Sequence, residues 1–148
     1  MKNITISIEK GEIFDRVSLN TAYVGAKSAS AAAHYERVAT VEADSAMLEK
    51  LWKESCSEIS DRLREFISEA ESGDKILRLI FEVSNSYDES VTTSLEEDLR
   101  QALATGVTAR WFGFSFPERF QEWKENSETL LSRVVGKLCH RRKPVRKG

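Results

Sequence analysis

The stretch LEKLWKESCSEISDRLREFISEA, residues 48–70, carries the strongest pattern in the chain. Its apolar residues recur at steps of three and four, and charged residues fill the positions between them. That spacing predicts an amphipathic helix of at least about six turns that runs to Ala70, with Trp52 and Leu63 in the core. We predict that Thr40 caps this helix and that Ser72-Gly73-Asp74 ends it.

Two short segments alternate apolar and polar side chains, which is the pattern of half-buried strands. They lie near residues 3–8 and 76–83. Each is the obvious partner of the other, so we predict a two-stranded antiparallel ribbon. An isolated ribbon is marginal in water, so this one must pack on helices or gain strands from a neighbouring subunit.

Three further segments have helical spacing. A helix from Glu12 would bury Ile13, Val17, Tyr23 and Val24. Residues 94–97, SLEE, match a capping box and predict a helix from there to near Gly113. Pro117 suits the first turn of a last helix, which would end near Leu138. Residues 27–40, rich in alanine and serine, predict a loop with helical turns.

These elements predict a mainly α fold, a bundle of about four helices with a small two-stranded antiparallel β element. Residues 1–139 would form one domain, and residues 140–148 would form a basic, extended C-terminal tail. No apolar run approaches the ~18 residues needed to cross a bilayer, so we expect a cytosolic protein without membrane contact. Cys56 and Cys139 have no spacing typical of a disulfide framework or a zinc site.

The charge is distributed unevenly along the chain. Six basic residues and no acidic one lie from Lys137 onward, which leaves 16 basic against 24 acidic residues in residues 1–136. Three interpretations of the basic tail stay open: a solvated end, non-specific contact with the phosphates of DNA, and insertion into an acidic groove of a neighbouring subunit. The charged members of the tail are Arg141, Arg142, Lys143, Arg146 and Lys147.

The sequence offers little from which to build a catalytic site, so we predict a protein that is not an enzyme. The chain has only two histidines, and His34 has no cysteine or carboxylate at ligand spacing. Cys139 and His140 are adjacent, as a candidate nucleophile and its base. Adjacent helical side chains point about 100° apart, however, so these two would not face each other. A metal site from Asp88, Glu89 and Glu96 is a weak alternative. We predict no catalytic residue, no metal ligand and no cofactor.

Two other features exceed ordinary core patterning. Trp111, Phe112, Phe114 and Phe116 spread around the end of a helix, which indicates either tight packing at a helix–helix corner or anchors for a partner. Residues 84–90 form a polar segment that predicts a protruding loop. The residues at the tip of that loop would be Asn85, Tyr87, Asp88 and Glu89.

The chain resembles the small head–tail connector (neck or adaptor) proteins of tailed bacteriophages and prophages, particularly those of Bacteroides-type hosts. The resemblance lies in MLEKLW at residues 47–52, ARWF at 109–112 and LCHRRKP at 138–144. It implies a structural virion protein whose copies form a ring between portal and tail around the DNA channel. Its partners would be further copies of itself, the portal protein and other neck or tail proteins, with possible non-specific DNA contact.

The resemblance also implies a location in the virion, and in the host cytoplasm during assembly. It matches no individual contact residue, so the expected interface comes from local chemistry alone. We expect that interface to comprise the four aromatic residues and the five basic residues of the tail. The alternative is a small nucleic-acid-binding or regulatory protein that uses the basic tail.

Overall fold

The computed structural model describes residues 1–27 and 44–143. Within these ranges the fold is mainly helical, as predicted, with four α-helices and a small antiparallel sheet. The elements in chain order are β1 (Lys2–Glu9), α1 (Lys10–Lys27), α2 (Ser45–Arg62), β2 (Ile67–Ser72), β3 (Ile76–Val83), α3 (Thr92–Ser115) and α4 (Phe120–Leu138). Single 3-10 turns precede β2, α3 and α4, over Arg64–Phe66, Glu89–Val91 and Pro117–Arg119.

The sheet pairs strands that are far apart in sequence. β1 pairs antiparallel with β3, with Ile6 opposite Leu79, so the predicted partnership of these two strands is confirmed. The prediction of only two strands is wrong, because β2 pairs antiparallel with the other side of β3. The order β1-β3-β2 leaves β1 and β2 at the edges of the sheet.

The helix predicted over residues 48–70 ends eight residues early, at Arg62. Trp52 and Leu63 are buried, as its apolar stripe predicted. After one 3-10 turn the chain becomes β2, which the sequence pattern had assigned to the helix. The hairpin explains the change: the Gly73 N–H donates to the Ile76 carbonyl at 2.9 Å, and β2 then satisfies the backbone groups along β3.

Helix α3 is the centre of the molecule. It packs against α1, α2 and α4, and every side chain from Ala102 to Ala109 is buried. On the sheet, the side chains that face the helices join the same hydrophobic core. The buried members of the sheet are Ile6, Ile8, Leu77, Leu79, Phe81 and Val83.

The ends of α3 differ from the prediction. Asp88 accepts the Ser90 N–H at 3.0 Å and so starts the 3-10 turn from which α3 begins at Thr92. Ser94 therefore lies inside the helix, where its hydroxyl accepts from Lys137 Nζ at 2.5 Å, and the predicted capping box does not form. The helix continues to Ser115, two residues beyond Gly113.

Helix α1 confirms the first helical prediction. Ile13 and Val17 are buried, whereas Tyr23 is 63% exposed and Thr21 takes the buried position in its turn. The predicted cap Thr40, the histidine His34 and the loop predicted after Lys27 lie outside the described residues.

Candidate partner-binding surface

The start of the basic tail is held against the loop between β3 and α3. The Asp88 N–H donates to the His140 carbonyl at 3.1 Å, and the Arg142 N–H donates to the Ser86 carbonyl at 2.8 Å. Between these two bonds Tyr87 and Arg141 form an antiparallel bridge. The tail therefore leaves the body of the protein from a defined position rather than from a frayed helix end.

Tyr87 contradicts the prediction of a protruding loop. Its side chain is 1% exposed, its hydroxyl lies 2.9 Å from Thr92 Oγ1, and Lys2 Nζ lies 5.8 Å from its ring centroid. Burial of a tyrosine ring stabilises the folded protein when its hydroxyl has a hydrogen-bond partner. The loop therefore folds inward at this residue. Asn85 and Glu89 are exposed on the outside of the loop, and Asp88 is half-buried.

Two carboxylates lie beside the start of the tail, and each is in contact with a basic side chain. Asp88 Oδ2 lies 3.3 Å from His140 Nε2, and Glu89 Oε1 lies 2.8 Å from Lys2 Nζ. Hydrogen bonds from Ser90 are the main cause that holds the pKa of Asp88 below its ordinary value. The hydrogen bond from Lys2 does the same for the pKa of Glu89.

The basic side chains of the tail that the structure describes are available for contact. Arg141, Arg142 and Lys143 are exposed, and none of them forms an ion pair within residues 1–27 and 44–143. Arg146 and Lys147 lie outside the described residues. The exposed guanidinium and ammonium groups suit an anionic partner surface.

The aromatic cluster divides into a buried part and an exposed part. Phe112 is fully buried, and its ring centroid lies 6.3 Å from that of Phe116 and 5.7 Å from that of Trp123 in edge-on contacts. Trp111 is 8% exposed. For Trp111 and Phe112 a role as exposed anchors is therefore wrong, because packing at the corner between α3 and α4 buries them. Phe116 is partly buried, and Phe114 is 64% exposed.

A cavity of about 170 Å³ lies between α2, α3 and α4, and its lining includes Glu58, Arg110, Lys124 and Glu128. Arg110 forms ion pairs with Glu58 and Glu54, and its Nη1 donates to Ser55 Oγ at 3.1 Å. Glu128 accepts from Arg62 at 2.8 Å. These ion pairs bridge the helices around the cavity, although exposed pairs each contribute little to stability. Lys124 Nζ lies 5.8 Å from the centroid of the Phe120 ring.

The thiols and the carboxylates form no recognisable chemical site in the described part of the chain. Burial raises the pKa of the Cys56 thiol to about 12, whereas Cys139 is exposed. Residues 1–27 and 44–143 contain no group of three or more histidine, cysteine or carboxylate side chains that could hold a metal ion. None of the described helices has the length and hydropathy of a transmembrane span.

A second exposed surface, which the sequence analysis missed, is the outer edge of β2. All residues of this strand except Ile67 are exposed, and no other strand of the described ranges pairs with its outer side. The signal was present in the sequence as a turn, Ser72-Gly73-Asp74, directly before an alternating strand, which is typical of a hairpin.

Comparison of the chain with protein-family models, curated proteins and solved structures found no significant match.

Proposed function

We propose that the protein is a non-enzymatic structural subunit of the head–tail connector kind. Its copies form a ring-like oligomer that joins portal to tail around the DNA channel of a virion. One observation carries the proposal: the basic tail is bound at its start to the loop at residues 86–88, while its charged side chains remain exposed and unpaired within the described residues.

The fixed start of the tail favours a role in assembly. Binding a free chain end costs conformational entropy, and fixing the first residues of that end in advance lowers the cost. The hydrogen bonds at His140 and Arg142 involve only backbone groups. The side chains of Arg141 and Arg142 therefore stay free to reach a partner. A solvated tail without a partner would need no such attachment.

Phe114 adds an apolar contact to the same proposal. It is the exposed member of the aromatic cluster, at 64%, and it lies in the last turn of helix α3. Exposed aromatic residues on rigid supports are common anchors at protein interfaces. The contact surface would thus combine one aromatic side chain with a basic segment.

The native mass of the purified full chain, together with particle imaging, tests the proposal. We expect ring-like oligomers, or a complex when the chain is co-expressed with the portal and tail proteins of the same genome. The Arg141→Ser/Arg142→Ser variant keeps the backbone bonds and should weaken association about tenfold. The matched control Lys53→Ser/Arg133→Ser removes two exposed charges elsewhere and should not. A chain that stays monomeric and binds neither partner contradicts the proposal.

The second candidate is a small nucleic-acid-binding protein, which the exposed side chains of Arg141, Arg142 and Lys143 favour. The carboxylate of Glu89 lies close enough to Arg142 to interact with it electrostatically, and so it weakens the local positive potential. Binding to duplex DNA that falls steeply between about 50 and 200 mM salt, and that the double serine variant abolishes, would support this candidate. Binding that is weak at both salt concentrations would exclude it.

A further inference from the structure

We propose that the outer edge of β2 receives residues 143–147 of a second copy, which add to the sheet as a fourth strand. The inference rests on the proposed assembly of copies and names the surface that receives the tail. Three features of the hairpin carry it: free backbone groups, an excess of negative charge, and a geometry that disfavours pairing of β2 with itself.

The backbone of β2 has hydrogen-bonding groups that point away from the sheet. Gly73 and Ile76 are directly bonded at the turn, and bonded and non-bonded pairs alternate along an antiparallel ladder. Ser72 and Ala70, which lie opposite Leu77 and Leu79, therefore direct their N–H and C=O groups to the outer edge. An extended segment that lies there would satisfy these groups by strand addition.

The side chains around this edge are acidic. Glu65, Glu69 and Asp74 are exposed and form no ion pair with any described residue. Glu71 pairs with Arg78 across the hairpin at 2.5 Å. Lys75, next to Asp74, is also exposed and unpaired among the described residues, so the edge has an excess of about two negative charges between Glu65 and Lys75.

Charge also selects the kind of strand that can pair here. A second β2 would place glutamates beside glutamates, and like charges on neighbouring strands are destabilising. The register shift between Ile67 and Glu69 further disturbs regular pairing with an identical strand. A basic strand avoids the like-charge contacts and gains charge-assisted contacts instead.

Residues 143–147, KPVRK, match these requirements. Lys143, Arg146 and Lys147 provide three positive charges against the acidic excess of the edge. Pro144 lacks a backbone N–H, which an outermost strand tolerates because one of its sides faces solvent. The segment follows Arg142, which is bound to Ser86, so its starting point on each copy is fixed.

Charge reversal on both sides of the contact tests the inference. One variant reverses the edge, Glu69→Lys/Asp74→Lys, and another reverses the tail, Arg146→Glu/Lys147→Glu. Sedimentation equilibrium of the full chain should show that each variant alone associates at least about tenfold more weakly than the unmodified protein, because its tail and edge then have like charges. The control Asp15→Lys/Glu118→Lys makes the same charge change at exposed positions away from the sheet and should associate normally.

Mixing the two reversed variants in equal amounts gives the decisive measurement. Each tail then meets an edge of opposite charge only on the other variant, so association should return to near the unmodified level. Recovery also shows that both variants are folded. Recovery in a single chain with all four changes, but not in the mixture, would mean that the tail binds its own β2 and would overturn the inference.

The remaining outcomes separate the inference from the proposed function. Association that depends on the tail but not on Glu69 and Asp74 overturns the inference and leaves the proposed assembly in place. A protein that is monomeric without any substitution, and stays so in the presence of portal and tail proteins, overturns the proposed function itself.

Discussion

Phe112 and Phe114 lie two residues apart near the end of α3, and their environments are opposite. Phe112 is fully buried between Phe116 and Trp123, whereas Phe114 is 64% exposed. Two residues along a helix correspond to a rotation of about 200°, so the two rings point to different sides. Sequence alone grouped them because both are aromatic.

This difference predicts unequal effects on stability. Phe112→Ala should lower the free energy of unfolding by about 3–5 kcal/mol, because it leaves a cavity at the corner between α3 and α4. Phe114→Ser should change it by no more than about 0.5 kcal/mol, because it removes an exposed side chain. Urea denaturation followed by circular dichroism measures both. Equal costs for the two substitutions would contradict the assignment of Phe112 to the core.

The two cysteines should also respond differently to an alkylating reagent. Burial raises the pKa of Cys56 to about 12, so its thiol is protonated at neutral pH and out of reach. Cys139 is exposed. Mass spectrometry after iodoacetamide treatment should find one modification per folded chain, at Cys139, and two after denaturation. Rapid modification of Cys56 in the folded protein would show that the core around this residue becomes accessible to solvent.

At the scale of elements, a bidentate ion pair links α1 to α3. Arg16 Nη1 lies 2.7 Å from Glu97 Oε1, and Arg16 Nη2 lies 3.1 Å from Glu97 Oε2. The hydrogen bond from Arg16 is the main cause that lowers the pKa of Glu97 from its ordinary value of 4.5. A lowered pKa in the folded state means that the pair stabilises the fold fully above pH 4.5, and that this stabilisation is lost as the pH falls through the lower, folded-state pKa.

Glu97→Gln should therefore have an effect that depends on pH. Near pH 7 it should reduce the free energy of unfolding by about 0.2–1 kcal/mol, the range of exposed ion pairs, because Glu97 is largely exposed. The difference from the unmodified protein should shrink as the pH falls below 4.5. Denaturation at several pH values measures it, and a difference that grows toward low pH would refute this assignment.

Most elements were predictable from the sequence, and the exceptions have physical reasons. The pairing of β1 with β3 follows from their alternating isoleucines and leucines, which bury one face of the sheet. β2 was missed because Ile67 and Ala70 continue the three- and four-residue spacing of α2, and because alanine and glutamate favour helices. Pairing with the free side of β3 overrides that local preference.

At the scale of the whole molecule, the sequence predicted the contrast of charge but not its geometry. The acidic excess in residues 1–136 and the basic tail are visible from composition. That Arg142 is bound to Ser86, and that the residues around the β2 edge are acidic, depends on contacts between distant parts of the chain. Tyr87 illustrates the same limit, since a polar segment gave no sign that its tyrosine is buried.

The burial of helix α3 has a consequence for how the protein unfolds. The eight residues Ala102–Ala109 have buried side chains around the whole helix, so no single neighbouring element can detach without uncovering them. Their amide hydrogens should exchange with deuterium only through complete unfolding, whereas the amides of the β2 edge should exchange within the folded state. Hydrogen–deuterium exchange would then report the global free energy of unfolding from α3 alone. In an assembly built through β2, the slowing of exchange would concentrate at the strand edge and leave this central helix unchanged.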